Sequence, residues 1–224
     1  MKFLGIIPAR GGSKGIPWKN IKELNGRPLI AYTIEAALAS KLDRVIVSTD
    51  SEEIAVTARE YGAEVIKRPA SLSGDLAPTL PVLQHALNSV SGYFEAVVTL
   101  QPTSPLRTSQ HINEAVDLFL KDPKANSLVS VVEVPHNMTP GSLMDISEGY
   151  LSNYLEQDGL TLRRQEKPTY FARNGAAIYI TRTASLQEYI FGGKILAYKM
   201  KLSDSFDIDT SDDWLVVERM VRDA

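Results

Sequence analysis

The residue types most suited to chemistry occur in a basic, glycine-rich loop near the start of the chain. The stretch IIPARGGSKGIPWKN, residues 6–20, contains three glycines and three basic side chains: Gly11, Gly12, Gly15, Arg10, Lys14 and Lys19. Glycine lets backbone N–H groups approach an anion closely, and Ser13 adds a hydroxyl donor. The loop is therefore predicted to bind an anion such as a phosphate group.

This loop fits neither of the two common phosphate-binding templates. A Walker A motif ends in Gly-Lys-Ser or Gly-Lys-Thr, whereas the loop reads Ser13-Lys14-Gly15, and it lacks the spacing Gly-x-Gly-x-x-Gly. It nevertheless follows directly on the first apolar run of the chain. Open α/β sheets bind their ligands where the strands end, so the position of the loop supports the phosphate interpretation.

A pair of carboxylates lies near the other end of the chain, in the stretch DIDTSDD at residues 207–213. On an extended segment Asp207 and Asp209 point the same way, a spacing suited to a divalent cation that bridges phosphate groups. Helix capping by Asp209 is the alternative, because a helix is predicted to begin nearby. We favour metal binding, with Thr210 or Ser211 as the cap. A basic loop and a carboxylate pair are together what nucleotidyl transfer requires.

The elements that must position these residues alternate along the chain. Apolar, β-branched runs predict strands at residues 3–7, 43–49, 63–67, 94–100, 127–134, 176–181 and 195–200. Helical periodicity predicts helices at residues 28–40, 51–61, 78–90, 109–120 and 211–222. This order predicts a mostly parallel sheet in a three-layer α/β fold. Polar turns that follow successive strands, including STDSEEIA, KRPASLSGD and LQPTSPLR, would then line one rim of the sheet.

Residues 135–173 break this alternation, since their apolar periodicity is weak and their polarity mixed. A loop of that length without packing of its own is unusual in a compact domain. We therefore expect an arm or small subdomain that folds over the site or onto a partner subunit. The length of the chain favours one domain over residues 1–224.

Composition and charge narrow the function classes. The chain has 224 residues, a net charge of −3 and no cysteine, which excludes disulfides, thiolate metal sites and a cysteine nucleophile. Residues 1–27 nevertheless carry six basic side chains against Glu23 alone. A basic cluster on an acidic chain indicates one discrete anion site rather than a nucleic-acid track. No apolar run has the length of a membrane span, so we expect a cytoplasmic protein without membrane or nucleic-acid partners.

A resemblance to one family rests on motifs that occur in order along nearly the whole chain: IPARGGSKGIPWKN, VSTDSEEIA, RPASLSGD, LQPTSPLRT, RRQ with NGAAIYI, and DIDT. Together they resemble the acylneuraminate cytidylyltransferases, the CMP-sialate or CMP-nonulosonate synthetases. The resemblance implies a Rossmann-like fold of the glycosyltransferase-A type and a homodimer. It also implies that residues 135–173 contribute to the dimer and reach toward the neighbouring sugar site.

The reaction implied by this resemblance joins CTP to a nine-carbon 2-keto-3-deoxy sugar acid and releases pyrophosphate, with Mg²⁺ or Mn²⁺ as cofactor. The anomeric hydroxyl attacks the α-phosphate directly, so no sugar phosphate is needed. Catalysis of this kind consists chiefly of positioning the substrates and neutralising charge on the phosphates.

The resemblance also assigns roles to individual residues. The residues implied to bind the nucleotide are Arg10, Gly12, Ser13, Lys19, Asn20, Arg68, Asp75 and Thr79. The residues implied to face the sugar acid are Gln101, Thr103, Ser104, Arg107, Arg164 and Arg173. Asp207 and Asp209 are the implied metal ligands. Arg10, Lys19 and Asp209 are implied to be catalytic, and Asp209 is also implied to help deprotonate the anomeric hydroxyl through the metal.

Two departures from the family pattern lie in the sugar half of the chain. Well-studied members carry an arginine directly after the aromatic residue of FRPNGAIYI, whereas this chain reads Phe171-Ala172-Arg173. One step along an extended segment turns a side chain to the opposite face, so either the backbone compensates or Arg164 holds the substrate carboxylate. The segment HNMTPGSLM lacks a lysine that those members have. The sequence thus predicts CTP but leaves N-acetylneuraminate, legionaminate and pseudaminate open as sugars.

Two rival functions stay open at this point. The first is a synthetase for CMP-KDO or a KDO-like acid, which the Lys19-Asn20 pair argues against. The second is a non-catalytic nucleotide-binding module of the same fold. The carboxylate pair argues against the second, because a protein that only binds a nucleotide does not need it.

Overall fold

The structure, a computed structural model, describes residues 1–13, 15–74, 76–155 and 168–223. Its α-helices are α1 (Leu29–Leu38), α2 (Glu52–Glu60), α3 (Thr79–Asn88), α4 (Ser109–Lys121) and α5 (Ser211–Arg222). Each of them lies within or very close to the range that apolar periodicity predicts. Within the ranges that the structure describes, no helix combines the length and the apolar character needed to cross a membrane.

Eight strands form one central sheet: β1 (Phe3–Pro8), β4 (Arg44–Thr49), β5 (Glu64–Lys67), β6 (Ala96–Thr99), β7 (Ser127–Glu133), β10 (Phe171–Arg173), β11 (Tyr179–Arg182) and β12 (Ile195–Met200). Two short hairpins lie outside this sheet: β2 (Glu23–Leu24) with β3 (Arg27–Pro28), and β8 (Met144–Ser147) with β9 (Tyr150–Asn153). The hairpins are short and polar in part, and the sequence did not predict them.

The central sheet is mainly parallel, which confirms the predicted α/β fold. Strand β1 pairs in parallel with β4 and β6, β4 with β5, and β12 with β7. Strand β11 runs antiparallel between β6 and β7, and β10 continues along the same edge of β7. The carboxyl ends of β1, β4, β5 and β6 therefore meet at one edge of the sheet.

Helices cover both faces of the sheet and give the predicted three layers. Ile34 of α1, Ala58 of α2 and Phe119 of α4 belong to one buried cluster on the first face. Leu83 of α3 packs with Leu4 in a second cluster on the other face. Parallel strands that are covered on both sides read as nearly continuous apolar runs, which is why β1 and β4 were easy to recognise.

Helix α5 closes the fold next to the glycine-rich loop. Trp214 and Val217 of α5 pack with Ile16, Leu24 and Ile208 in a third buried cluster. Because Ile208 stands between the two predicted metal ligands, this cluster fixes the carboxylate segment against the opening loop. Residues that are about 190 positions apart in the chain are thus held side by side.

The segment at 135–173, predicted to be an arm or small subdomain, contains a hairpin and a short strand of the central sheet. Strands β8 and β9 form a hairpin of their own with an exposed surface on every residue. Phe171–Arg173, at the end of the segment, returns to the central sheet as β10. Residues 156–167 lie outside the described part of the chain.

The strand predicted at 176–181 begins later than expected. Gly175 has a φ of 69° and Ala176 a φ of 22°, so the chain turns there and strand β11 starts at Tyr179. The apolar run AAIYIT predicts a strand from residue 176, because a positive φ at Ala176 leaves no signal in residue type. The turn brings residues 175 and 176 into the cleft described next.

Candidate active site

One cleft of about 500 Å³ opens where the central strands end. It is lined by the loops that follow β1, β5, β6 and β10 and by the segment before α5. Ten residues predicted from the sequence line it: Arg10, Ser13, Lys19, Asn20, Arg68, Thr79, Gln101, Thr103, Asp207 and Asp209. The carboxyl edge of the sheet, predicted as the ligand side, is thus where these residues meet.

The glycine-rich loop is braced by two side chains. The Asn20 amide nitrogen donates to the carbonyl oxygen of Arg10 at 3.0 Å, and Asn20 itself is buried. The backbone N–H of Gly11 donates to Asp50 at 3.1 Å. Gly12 is exposed and is not part of the cleft lining, and Lys14 lies outside the described residues. The loop is therefore preformed, with Arg10 and Ser13 on the cleft wall.

Lys19 connects this loop to the carboxylate segment. Its ammonium group donates to the carbonyl oxygen of Ile208 at 2.6 Å and lies 3.2 Å from a carboxylate oxygen of Asp209. The lysine side chain is only 12% exposed, whereas the side chain of Asp209 is 75% exposed. The cation is thus fixed at the cleft wall, and the carboxylate keeps most of its surface open.

Asp207 lies deeper in the cleft than Asp209. Burial raises the pKa of its carboxyl group, a hydrogen bond from Thr103 opposes this, and the negative charge of Asp209 adds to it. The Ser104 hydroxyl is 3.4 Å from the same carboxylate. Ser104 is buried behind the wall, so it supports Asp207 rather than lining the cleft.

The cap of α5 is formed without the side chain of Asp209. Thr210 is the N-cap, and its hydroxyl accepts from the N–H of Asp213 at 3.2 Å. The carboxylate of Asp213 in turn accepts from the N–H groups of Thr210 and Asp209. Asp213 therefore completes the capping box, and the Asp209 carboxylate is not used for it.

The pair of carboxylates fits a divalent cation that is shared with a substrate. Within residues 1–13, 15–74, 76–155 and 168–223 no group of three or more His, Cys, Asp or Glu side chains could hold a metal alone. Mg²⁺ is usually bound by one or two carboxylates together with substrate phosphates. Asp207 and Asp209 on the wall of a cleft with a basic loop match that donor set.

Arg68, which follows β5, and Thr79, the first residue of α3, line another side of the cleft. The Arg68 guanidinium donates to the carbonyl oxygen of Ser48 at 2.7 Å and is 3.3 Å from its hydroxyl. Burial lowers the pKa of Arg68, which the charge of Asp50 opposes. Thr79 is the first residue of α3, so the positive end of this helix dipole also faces the cleft. Asp75 lies outside the described residues.

Arg107 occupies a different place from the one that its predicted role requires. Its guanidinium is fully buried and donates to the carbonyl oxygens of Gln101 and Ala177 and to the hydroxyl of Thr33. Burial lowers its pKa to about 9, and the charge of Asp207 opposes this. Arg107 thus ties together two loops of the cleft wall from behind, without reaching the cleft itself.

Arg173 lies beside the cleft and not in its lining. Its guanidinium carbon is 4.9 Å from the ring centre of Phe191, and that ring packs edge-on against Tyr179. Burial raises the pKa of Tyr179, the positive charge of Arg173 opposes this, and the charge of Asp207 adds to it. Arg173 therefore lies close to Phe191 and Tyr179. Arg164 lies outside the described residues.

The sequence did not assign a role to the turn at 174–178, although it lines the Asp207 side of the cleft. The Asn174 amide is buried and joins Ser130 of β7 to Ser205, with contacts of 2.7 and 2.9 Å. The N–H of Gln101 donates to the carbonyl oxygen of Ala176 at 3.1 Å. The available signal was the pair Asn174-Gly175, which is typical of tight turns.

Comparison with known proteins decides the family. Residues 4–217 match the family model described as cytidylyltransferase. The chain belongs to the cytidylyltransferase family. The resemblance noted in the sequence is confirmed by this match, which covers the glycine-rich loop and the carboxylate pair alike.

Two relatives of this cytidylyltransferase differ in their length. The N-acylneuraminate cytidylyltransferase of Escherichia coli O18:K1:H7 is 39% identical over 93% of this chain, which spans about half (49%) of that relative. The CMP-N,N'-diacetyllegionaminic acid synthase of Legionella pneumophila is 35% identical over 99% of this chain and 97% of the relative. The matched region is thus nearly all of the second protein but only half of the first.

A solved structure supports the fold of this cytidylyltransferase. A CMP:2-keto-3-deoxy-manno-octonic acid synthetase complexed with CTP has a TM-score of 0.76 over 100% of this chain and 99% of its own. Only 18% of the residues are identical, so the likeness concerns the fold. It agrees with the Rossmann-like nucleotidyltransferase fold that the sequence resemblance implies.

Proposed function

We propose that this cytidylyltransferase joins CTP to a nine-carbon 2-keto-3-deoxy sugar acid and releases pyrophosphate. One observation carries the proposal: the same cleft is lined by the basic loop with Arg10 and Lys19 and by the carboxylates of Asp207 and Asp209. The basic side chains can neutralise the negative charge of a triphosphate, and the carboxylates can bind the cation that accompanies it.

Positioning of the triphosphate is the main task of the protein. Arg10, Ser13 and Lys19 would contact its oxygens, while Arg68 and Thr79 would hold the cytidine end of the nucleotide. Lys19 is already fixed by the carbonyl oxygen of Ile208, so little reorganisation would accompany binding. Held in this way, the α-phosphorus would face the part of the cleft near Gln101 and Asp207.

The chemical step forms one bond and breaks another. The anomeric oxygen bonds to the α-phosphorus, the bond from that phosphorus to the oxygen bridging the α- and β-phosphates breaks, and pyrophosphate leaves with the electron pair. Asp209, whose carboxylate is 75% exposed on the wall of the same cleft, would help to take up the hydroxyl proton. Asp207 and Asp209 would hold Mg²⁺ or Mn²⁺, which when bound would neutralise charge on the phosphates.

The acidic sugar would lie on the side of Gln101 and Thr103, toward Arg173. Arg173 supports recognition of a carboxylate, because its guanidinium is held against Phe191 close to Tyr179. Relatives named for N-acylneuraminate and for diacetyllegionaminic acid both favour a nine-carbon acid. The shift of one residue at Ala172-Arg173 leaves the choice between these acids to experiment.

The dimer and the compartment remain predictions. Hairpin β8–β9 exposes Ile146 (76%), Tyr150 (79%) and Leu151 (62%), which favours a second copy of the chain as the partner that covers it. A partner's hairpin would then reach toward the sugar side of the cleft. A cytoplasmic location stays an expectation from the sequence.

The proposed activity is tested by product analysis with four acids offered separately: N-acetylneuraminate, legionaminate, pseudaminate and KDO. CTP and Mg²⁺ are supplied in each reaction, and CMP-linked products are identified by mass spectrometry. A CMP-sugar from one of the nine-carbon acids is expected. A product from KDO alone would favour the rival synthetase, and bound CTP without any product would favour the non-catalytic module.

A further inference from the structure

Two glycines flank the carboxylate segment so closely that neither could carry a side chain. A Cβ atom built at Gly175 would lie 2.5 Å from both Cγ and Oδ2 of Asp207. A Cβ atom built at Gly15 would lie 2.5 Å from the carbonyl oxygen of Asp209. These distances are much shorter than a van der Waals contact. Atoms of Asp207 and Asp209 therefore occupy the space that a side chain at Gly175 or Gly15 would need.

The carboxylate segment cannot move away freely, because its backbone is held on several sides. The N–H of Ile208 donates to the carbonyl oxygen of Thr103 at 2.9 Å, and Lys19 holds the carbonyl oxygen of Ile208. The N–H of Asp209 donates to Asp213. A new methyl group at position 175 would therefore displace the Asp207 side chain rather than the whole segment.

The turn that carries Gly175 is held just as firmly. Asn174 is bonded to Ser130 and Ser205, and the carbonyl oxygen of Ala176 accepts from the N–H of Gln101. The φ of 69° at Gly175 is also a conformation that favours glycine. Neither the turn nor the carboxylate segment can thus yield without losing hydrogen bonds.

We propose that Gly175 and Gly15 are positioning residues that set the placement of the two carboxylates. Gly175 leaves room for the side chain of Asp207, and Gly15 leaves room for the backbone that carries Asp209. The inference rests on the proposed function insofar as the two carboxylates serve a nucleotide-bound cation. The steric relation itself depends only on the geometry of the chain.

The proposal is tested first by a double-mutant cycle of Gly175→Ala and Asp207→Ala, with unfolding by denaturant as the readout. Gly26→Ala is the matched control, because Gly26 has a φ of 74° but no atom within 4 Å of its would-be Cβ. We expect Gly175→Ala to destabilise the chain more than Gly26→Ala does. In the Asp207→Ala background, Gly175→Ala and Gly26→Ala should lower the free energy of unfolding by the same amount.

The second readout is the binding of Mn²⁺ followed by electron paramagnetic resonance, in the presence of a non-hydrolysable CTP analogue. Gly175→Ala and Gly15→Ala should each weaken Mn²⁺ binding by about tenfold or more, as disturbed supports of metal ligands commonly do. Gly26→Ala should leave it unchanged. Equal Mn²⁺ affinity in wild type and Gly175→Ala would overturn the positioning role.

The outcomes separate this proposal from the proposed function. If wild type binds neither Mn²⁺ nor the CTP analogue, the proposed function fails, while the unfolding cycle still tests the steric relation. If the cycle shows that the cost of Gly175→Ala is the same with and without the Asp207 side chain, the inference fails. In that case product formation by the wild type would still support the proposed function.

Discussion

At the scale of single residues, Lys19 is the side chain that joins the two halves of the site. It contacts the carboxylate segment at Ile208 and Asp209 and also lines the wall where the triphosphate is proposed to bind. Lys19→Met removes this cation while keeping much of the side-chain volume. We expect kcat/KM to fall by about 10²–10³-fold, the size typical for loss of one electrostatic contact to a reacting group.

The control for this substitution is Lys22→Met. Lys22 lies three residues further on and stacks over the ring of Trp214 at 4.3 Å, away from the cleft lining. Steady-state kinetics with saturating Mg²⁺ should give a wild-type kcat/KM for Lys22→Met. An equal loss in the two variants would show that general basic charge, and not the placement of Lys19, accounts for the effect.

Arg107 illustrates a residue that acts from behind the site. Two of its three hydrogen-bonded acceptors, the Ala177 carbonyl and the Thr33 hydroxyl, are buried, so shortening the side chain in Arg107→Lys leaves buried acceptors without a donor. We expect a loss of about 3 kcal/mol in the free energy of unfolding. Denaturant titration measures it, and KM should rise because the Gln101 and Ala177 carbonyls lose their common support. An unfolding free energy equal to that of wild type would contradict this account.

At the scale of elements, the edge of the sheet offers a test that involves pH. Arg44 of β4 donates two hydrogen bonds to Glu64 of β5, at 2.7 and 2.6 Å. These bonds lower the pKa of Glu64 below its ordinary value of 4.5. The folded chain therefore releases the proton more readily than the unfolded one, and the pair stabilises the fold above the ordinary pKa.

Glu64→Gln should consequently lower the free energy of unfolding at pH 7 by no more than about 1 kcal/mol, since both side chains are partly exposed. The difference from wild type should shrink as the pH falls from 4.5 through the lowered pKa, where the wild-type carboxylate is protonated as well. Thermal unfolding at pH 7 and pH 3 measures both quantities. A difference that persists unchanged at pH 3 would mean that packing, not charge, is responsible.

At the scale of the whole molecule, the sequence predicted the layers better than the connections between them. Strands such as β1 and β4 are buried on both faces, so their unbroken apolar runs identify them directly. The hairpin at Glu23–Pro28 and the strand Phe171–Arg173 are short and partly polar. Their pairing depends on distant partners, which a local pattern does not reveal.

In the site, too, features that show in the local sequence were predicted and features that depend on distant contacts were not. The basic loop and the carboxylate pair were predicted from residue type and spacing, because charge and glycine content are visible locally. The strand predicted at residues 176–181 instead begins with a turn at Ala176, whose positive φ is not visible in an apolar run. Arg107 was predicted at the sugar side, but whether an arginine faces a cleft or its back depends on the packing of two loops.

The proposed dimer gives a prediction at this scale. Replacing Ile146 and Tyr150 on the exposed hairpin by glutamate should leave the central sheet intact, because both side chains are largely exposed. We expect wild type to sediment as a dimer and the double variant as a monomer in analytical ultracentrifugation. Circular dichroism serves as the control for the fold. A monomeric wild type at micromolar concentration would contradict the proposed assembly.

The most direct test of the central claim is the dependence of pyrophosphate release on the sugar acid. Purified wild-type protein is given CTP and Mg²⁺ with and without a nine-carbon 2-keto acid, and pyrophosphate is followed continuously. We predict release only when the acid is present, in a one-to-one ratio with the CMP-sugar. Release without any acid, or no release with any acid despite bound CTP, would contradict the account of this cleft as the site of sugar-acid activation.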